Sequence, residues 1–187
     1  MKKFRLLFIA VLMLTASANA QITKGNWMVG GSGSFKSTKT ETLSDGTKPY
    51  DDRLILNISP NMGYFIYDKL ATGIKLSYTY DNLYNENYHY FGAGPFIRYY
   101  FLKPDKLINF LLQAQYNYYG GGGKTEDGAD TGKFHNNGYG FKTGPAIFFN
   151  SSVALELTLD YNSTRLNSTL LENEFMIGIG FQIHLEK

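Results

Sequence analysis

The sequence lacks cysteine and has one tryptophan, five prolines and no long apolar run. Without cysteine the chain has no disulfide framework and no thiolate metal site, and it cannot be a lipoprotein acylated on a first cysteine. The apolar run over residues 6–14 is too short for a stable transmembrane helix, which needs about 20 residues. A disulfide scaffold is therefore excluded, and a transmembrane anchor is the weaker interpretation of this run.

An excess of charge of either sign is also missing. The full chain has 18 basic and 16 acidic residues, and three of the basic ones lie within the first 20 positions. The remainder has 15 basic against 16 acidic residues, which is a net charge of −1. A nucleic-acid-binding domain would carry a clustered basic excess. We expect no nucleic acid, and the sequence shows no site for a metal or another cofactor.

The first 20 residues have the pattern of a secretory signal peptide. They start with three basic residues, continue with the apolar stretch 6–14 and end on Ala-Asn-Ala at 18–20. We expect Sec-type export and cleavage near Ala20. The mature chain, residues 21–187, then has the length of one domain.

Aromatic residues are abundant although the chain is polar on average. They make up 16% of the sequence, with 15 Tyr and 14 Phe, and the mean hydropathy is −0.25. A helical membrane protein could not have such a low hydropathy. A membrane β-barrel can, because only alternate residues of each strand face lipid and the loops are polar.

A period of two organises the end of the chain. Residues 174–185 read E-F-M-I-G-I-G-F-Q-I-H-L, in which every second residue is bulky and apolar and the others are polar, small or flexible. This pattern is typical of a strand with one apolar face. Seven earlier segments repeat it. The sequence therefore predicts an all-β fold, an eight-stranded antiparallel up-and-down transmembrane β-barrel closed by its last strand.

The predicted connections alternate in length. Short turns fall near residues 67–69, 103–106 and 150–152, and polar loops fall at 37–52, 81–87, 120–137 and 162–171. An outer-membrane barrel has short turns in the periplasm and longer loops outside. Three prolines, Pro60, Pro95 and Pro145, fall inside strands, where we expect bulges or locally lost ladder hydrogen bonds.

The size of an eight-stranded barrel indicates which face meets lipid. Its interior is just wide enough to be filled by side chains, so the bulky residues of all strands would not fit inside, as a water-soluble carrier would require. The opposite face carries many glycines, which weaken a strand and need a steric reason. A crowded lumen supplies that reason. We expect the apolar face outside.

Aromatic residues near the strand ends predict two girdles at the membrane interfaces. The periplasmic girdle comprises Trp27, Tyr64, Tyr99, Phe149 and Phe181, and the outer girdle comprises Tyr78, Tyr80, Phe91, Tyr116, Tyr139 and Tyr161. The alternative is the ordinary preference of aromatic residues for strands. Few of these rings fall in mid-strand, which favours the girdles.

Charged and amide side chains recur on the inward face. They are Arg53, Lys75, Arg98, Gln113, Lys142, Glu156, Asp160 and Glu174. A three-residue turn at 150–152 would put Lys142 opposite Asp160. Buried charges must pair or their desolvation is uncompensated. We expect a salt-bridged plug that fills the lumen; a narrow polar pathway or gate is the alternative.

These segments resemble a known family. I-S-P-N-M-G-Y-F at 58–65, G-P-F-I-R-Y-Y-F at 94–101 and the closing I-G-I-G-F-Q-I-H-L resemble the small outer-membrane β-barrel family of Bacteroidetes-type bacteria, similar in architecture to OmpX- and OmpW-type barrels. The resemblance implies a C-terminal assembly signal read by the barrel-assembly machinery. Its positions are Gly178, Gly180, Phe181, Ile183 and Leu185. The chain departs from the family by ending on Leu-Glu-Lys rather than on an aromatic residue.

Enzymatic chemistry has little support. Some small outer-membrane barrels modify lipid A with a Ser–His–carboxylate arrangement, but His89, His135 and His184 form no local signature with a serine. We expect His89 at a loop–strand junction, His135 in the long loop and His184 at the periplasmic rim. The run Gly120-Gly121-Gly122-Gly123-Lys124-Thr125 is not a phosphate-binding loop, because Tyr118 stands where the motif requires its first glycine and no helix follows. It predicts a flexible external loop.

We therefore expect a monomeric, non-enzymatic outer-membrane barrel with a structural or surface-interaction role. Segments 37–52 and 120–137 are the best candidates for contacting partners or lipopolysaccharide, since loops carry function on such scaffolds. A minor channel for small apolar molecules is the second hypothesis, and a lipid A-modifying acyl enzyme is the third.

Overall fold

A computed structural model of the chain describes residues 22–41, 50–83, 86–124, 130–165 and 170–186. The predicted signal peptide and its cleavage site at Ala20 lie outside these residues. Eight strands follow in chain order: β1 (Trp27–Glu41), β2 (Tyr50–Tyr67), β3 (Leu70–Leu83), β4 (Glu86–Tyr100), β5 (Ile108–Lys124), β6 (Asp130–Phe148), β7 (Val153–Arg165) and β8 (Leu171–Leu185).

The strands form one closed sheet. Each pairs antiparallel with the next, and β8 pairs with β1. This confirms the predicted eight-stranded up-and-down barrel. No helix in the described part of the chain is long and apolar enough to cross a membrane.

The two ends of the barrel differ. The first residue of β1 and the last residue of β8 meet at one end, together with the connections 68–69, 101–107 and 149–152. We call this the turn end. The opposite end, reached by the connections 42–49, 84–85, 125–129 and 166–170, is the loop end.

The strands extend farther toward the loop end than the sequence predicts. Much of the predicted loop 37–52 belongs to β1 and β2, and much of 120–137, including the glycine run, belongs to β5 and β6. The prediction of a loop was wrong there because a polar segment can leave the hydrocarbon and still continue its ladder, as the pairing of Ser37 with Leu54 shows.

The expected alternation of loop lengths also fails in part. The predicted loop 81–87 reduces to the connection 84–85, which is shorter than the turn-end connection 101–107. The predicted loop 162–171 is likewise strand up to Arg165. Strand extension, rather than loop length, distinguishes the two ends.

The three prolines interrupt the sheet without shifting it. On one side of each proline the ladder skips two residues and resumes in the same register, at 59–60, 94–95 and 144–145. On the other side Pro60 pairs with Gly31, Pro95 with Ile74 and Pro145 with Phe110. The sequence predicted either bulges or lost ladder hydrogen bonds at these prolines, and the ladder bonds are the ones that are lost. The register shifts in the described strands lie elsewhere, at Phe65/Tyr67 and Gly122/Lys124.

Bulky apolar side chains cover the outside of the barrel. Ile58, Ile74 and Ile177 are 64%, 60% and 77% exposed. Glycines recur inside, where space is short: a Cβ added at Gly73 would overlap the Met62 carbonyl oxygen. The molecule is therefore inverted relative to a water-soluble barrel, with its apolar surface facing outward.

Candidate functional site

The lumen is apolar at the turn end. Its buried cluster contains Ile22, Met28, Phe65, Ala71, Phe96, Tyr100, Leu111, Ala146, Phe148 and Ala154. Ile22 precedes β1 and is fully buried, and its carbonyl oxygen accepts a hydrogen bond from the Lys69 backbone. The segment before β1 thus folds across the turn end and closes it.

His184 belongs to this core. We expected it at the periplasmic rim, but it is fully buried, with ring centroids 5.4 Å from Phe148, 5.8 Å from Phe65 and 6.0 Å from Tyr100. The error has a simple cause. Most inward residues of this end are aromatic or apolar, and the fully buried Asn109 and Gln182 lie among them, so the lumen there is packed like a protein core.

A buried ion pair lies above the apolar core. Arg98 Nη1 on β4 is 2.6 Å from Glu156 Oε1 on β7, and both side chains are 1% exposed. Arg98 also donates to Gln113 Oε1 at 2.8 Å and to the Tyr100 hydroxyl at 3.1 Å. These contacts join β4, β5 and β7 across the lumen. They fill its middle with an ion pair whose charges are both buried.

A second pair lies on β6 and β7. Lys142 is directly opposite Asp160 in the ladder, and its Nζ is 3.3 Å from Asp160 Oδ2 and 2.9 Å from Ser32 Oγ on β1. Lys142 is 3% exposed. The short turn 149–152 sets this register, because it fixes which residues of β6 and β7 face each other.

The remaining members of the predicted network lie nearer the loop end. Arg53 forms a bidentate pair with Asp81, at 3.0 and 2.7 Å. Glu174 pairs with Lys36 at 3.2 Å. Sequence reasoning missed Asp81 as a partner because the residue was assigned to a loop. The alternation of apolar and polar residues stops at Tyr80, because Asp81 and Asn82 are both polar, so this pattern gave no signal for the pair.

Lys75 has a different environment from the other inward cations. Its Nζ donates to Gln115 Oε1 at 3.3 Å, and Gln113 donates to the same oxygen at 2.8 Å. Gln115 in turn donates to Asn162 Oδ1 at 3.4 Å. A chain of amides therefore surrounds this lysine across β3, β5 and β7.

A cavity of about 320 Å³ occupies the lumen between these groups and the loop end. We call it the cup. Arg53, Lys75 and Asp160 contribute to its wall, with Tyr90 and Tyr119. Among the described residues, the expected plug thus fills the turn-end part of the lumen, and the cup occupies the part nearer the loop end.

The barrel wall is weakest where β1 meets β8. Residues 27–33 of β1 pair with 179–185 of β8, whereas β1 stays paired with β2 up to Glu41 and β8 stays paired with β7 down to Leu171. The remainder of these two strands, residues 34–41 of β1 and 171–178 of β8, is not paired across this junction, and we call it the seam. Among the described side chains, two contacts bridge it: Ser34 Oγ lies 3.7 Å from Met176 Sδ, and Lys36 pairs with Glu174. Both strands contribute to the cup, so the seam adjoins it.

The predicted girdle residues point outward from the strands. Trp27 and Tyr64 meet edge to face at 5.2 Å at the turn end, where Tyr99 and Phe149 are also exposed. Phe181 lies on β8 opposite Leu155. On the loop-end half, Tyr78 contacts Phe91 at 5.0 Å and Tyr161 contacts Phe175 at 4.9 Å. The outer girdle also includes Tyr80, Tyr116 and Tyr139. Tyr116 and Tyr139 are each 49% exposed.

The predicted assembly-signal positions divide between the two faces of β8. Gly178 and Gly180 are buried on the lumen side, and Phe181, Ile183 and Leu185 are 54%, 45% and 47% exposed outside. The signal itself stays a prediction.

The three histidines are not brought together. His184 is buried at the turn end, whereas His89 and His135 are exposed on the loop-end half. His89 Nδ1 is 2.8 Å from the Tyr78 hydroxyl, and His135 stacks on Tyr118 at 5.9 Å. Within the described ranges no three His, Asp or Glu residues are grouped to hold a metal ion.

The fold defines a class: closed eight-stranded barrels of the outer-membrane type. No protein-family model and no curated protein matches the sequence. Among solved structures, the barrel is similar to Neisserial surface protein A, with a TM-score of 0.57 and 17% identity over 86% of this chain and 97% of that one.

Two Pseudomonas aeruginosa structures are similar to a comparable degree. The N-terminal β-barrel domain of OprF has a TM-score of 0.55 at 15% identity, covering 87% of this chain and 98% of the domain. The outer membrane protein OprG has a TM-score of 0.52 at 13% identity, covering 90% and 100%. At these identities the likeness concerns the fold.

Proposed function

We propose that the chain is an integral protein of the bacterial outer membrane, a monomer with a structural or surface-interaction role at its loop end. The observation that carries this proposal is the combination of an apolar outer surface with a lumen closed by Arg98, Glu156 and the apolar core beneath them. Exposed apolar surface of this extent needs hydrocarbon around it. A closed lumen leaves the loop end as the surface available to partners.

The partners in this proposal follow from location. The outer wall contacts membrane lipid and lipopolysaccharide, and the barrel-assembly machinery handles the chain during insertion. The strand extensions and connections within 37–52 and 120–137 are the surfaces offered to other molecules. The proposed role is non-enzymatic, and the geometry that accompanies it is that His89, His135 and His184 are not brought together.

Single cysteines test location and orientation in one experiment, because the chain has none of its own. Lys124→Cys marks the loop end and Lys106→Cys, also exposed, marks the turn end. A membrane-impermeant maleimide should label Lys124→Cys in intact cells and Lys106→Cys only after lysis. Heat-modifiability on gels of the membrane fraction checks folding. Labelling of both sites in intact cells, or of neither, would refute the proposal.

A minor channel for small apolar molecules is a second candidate, and the seam is the observation that favours it. Unpaired strand edges are costly in hydrocarbon, and here they adjoin a cavity with Phe35, Phe175 and Ile177 exposed outside. Such a wall could pass an apolar molecule sideways between the lipid and the cup.

A cross-link distinguishes the two candidates. Cysteines at positions 34 and 176, joined by a short bismaleimide, would hold the two strands of the seam together. As the control, cysteines at Val29 and Ile183 would join two residues that already pair in the ladder. The channel predicts that intact cells carrying the protein take up N-phenylnaphthylamine and that only the first cross-link stops uptake. Equal uptake with both cross-links would remove this candidate.

A further inference from the structure

The cup has the size and lining of a ligand site. Its volume of about 320 Å³ corresponds to roughly ten water molecules at about 30 Å³ each and lies in the range of small-molecule pockets. Its wall combines ionisable groups with Asn57, Asn136 and the rings of Tyr90 and Tyr119. Such a mixture is typical of sites that orient a small organic molecule through a few polar contacts.

One basic side chain of the lumen has no carboxylate partner among the described residues. Arg53, Arg98, Lys142 and Lys36 each lie within 3.3 Å of a carboxylate. In the same part of the chain, Lys75 donates a hydrogen bond to the neutral Gln115 and lines the cup. An ammonium group has three donors, and a charge withdrawn from water is costly unless it is paired.

The surrounding charges do not supply that partner. Lys142, Asp160 and Arg98 are the charged groups that act on Lys75 across the lumen. Asp160 is already paired with Lys142, and Arg98 with Glu156. At the depth of Lys75, three basic side chains face two carboxylates. Asp81, Glu172 and Glu174 line the cup nearer the loop end.

The rest of the wall suits an organic body. Tyr90 and Tyr119 lie nearer the loop end than Lys75, and Ile55 and Met176 line the same space. Ile55 is 8% exposed. Rings and apolar side chains above a single cation would contact the body of a molecule whose charged group reaches the floor.

We propose that the cup binds a small organic carboxylate, with its anionic group on Lys75 and its body against Tyr90 and Tyr119. A carboxylate fits better than a phosphate group, because a dianion would be repelled more strongly by Asp160 and by the carboxylates nearer the loop end, Asp81, Glu172 and Glu174. The ligand enters from the loop end. The proposal goes beyond a surface-interaction role, since it assigns a site inside the barrel.

Methionine methyl NMR tests this site with internal controls. Met176 lines the cup, Met62 is 53% exposed on the outer wall, and Met28 is buried in the turn-end core. The full barrel, labelled on methionine methyl carbons, is titrated in micelles with benzoate, with neutral benzamide and with cationic benzylamine. Benzoate should shift the Met176 signal saturably and leave Met62 and Met28 in place, and the two other probes should not.

Two variants assign the charge. Lys75→Gln should weaken benzoate binding about tenfold or more, the usual effect of removing a hydrogen bond to a charged group. Lys106→Gln, at the turn end, should leave it unchanged. If Lys75→Gln does not fold, the comparison of the three probes on the wild type decides alone. Equal shifts with benzamide, movement of Met62 in step with Met176, no saturable shift, or unchanged binding by folded Lys75→Gln would each overturn the proposal.

Discussion

Removing either partner of the Arg98–Glu156 pair should destabilise the barrel strongly. Both side chains are 1% exposed, so neither charge can recover hydration when its partner is lost. In Glu156→Met the guanidinium would retain only Gln113 and Tyr100. Breaking a buried ion pair in this way typically costs about 3–5 kcal/mol. With a urea dependence of about 2 kcal/mol per molar, the unfolding midpoint should fall by about 2 M.

A double-mutant cycle isolates the pair from the packing around it. Arg98→Met combined with Glu156→Met removes both charges, and such replacements are often close to neutral. The double variant should therefore be more stable than either single variant. Trp27, the only tryptophan, is 43% exposed at the turn end and reports unfolding by fluorescence.

The control is a pair of the same chemistry that water can reach. Lys36 and Glu174 are 43% and 27% exposed, so Lys36→Met should cost less than about 1 kcal/mol. If Glu156→Met costs no more than Lys36→Met, or if the single and double effects simply add, the ion pair is not a buried plug and water reaches it.

Three further predictions concern other parts of the barrel. Lys142→Ala should lower the unfolding midpoint in detergent, because it leaves Asp160 without its cation; an unchanged midpoint would count against that pairing. Gly94→Ala should abolish the heat-modifiable folded band, because an added Cβ would overlap the Tyr116 carbonyl oxygen. Gly33→Ala should fold, because its added Cβ would lie 3.7 Å from the Asn57 carbonyl oxygen. Equal behaviour of the two variants would contradict the steric argument. His184→Ala should cost about 2–4 kcal/mol by emptying a space between three rings, with the exposed His135→Ala as the control, and equal midpoints would place His184 outside the core.

The sequence predicts well which side of the barrel wall a side chain faces, but it predicts poorly how high along the barrel axis the side chain lies. The period of two along residues 174–185 assigns every side chain of β8 to the lumen or the outer wall, because strand geometry leaves only two directions. The same period says nothing about height along the barrel axis. Asp81 was therefore assigned to a loop although it pairs with Arg53, and His184 was placed at a rim although it is buried.

Contacts across the lumen, between strands that do not pair, are the second feature that the sequence does not predict. Lys142 and Asp160 are neighbours in one ladder, so a short turn suffices to predict their approach. Lys75 and Gln115 lie on β3 and β5, which do not pair, and their contact depends on barrel curvature and side-chain length. No local pattern in the chain encodes such a distance, and for this reason the cup could not be foreseen.

The order of layers in the lumen argues against axial conduction. A continuous aqueous path would have to separate Arg98 from Glu156 and then displace Tyr100, His184 and Ile22, all of them fully buried. The ion pair alone sets a cost of about 3–5 kcal/mol, which would hold an open state to roughly one molecule in a hundred or fewer. Within the described residues the apolar layer lies at the turn end. We therefore expect exchange between the lumen and its surroundings at the cup rather than along the full barrel axis.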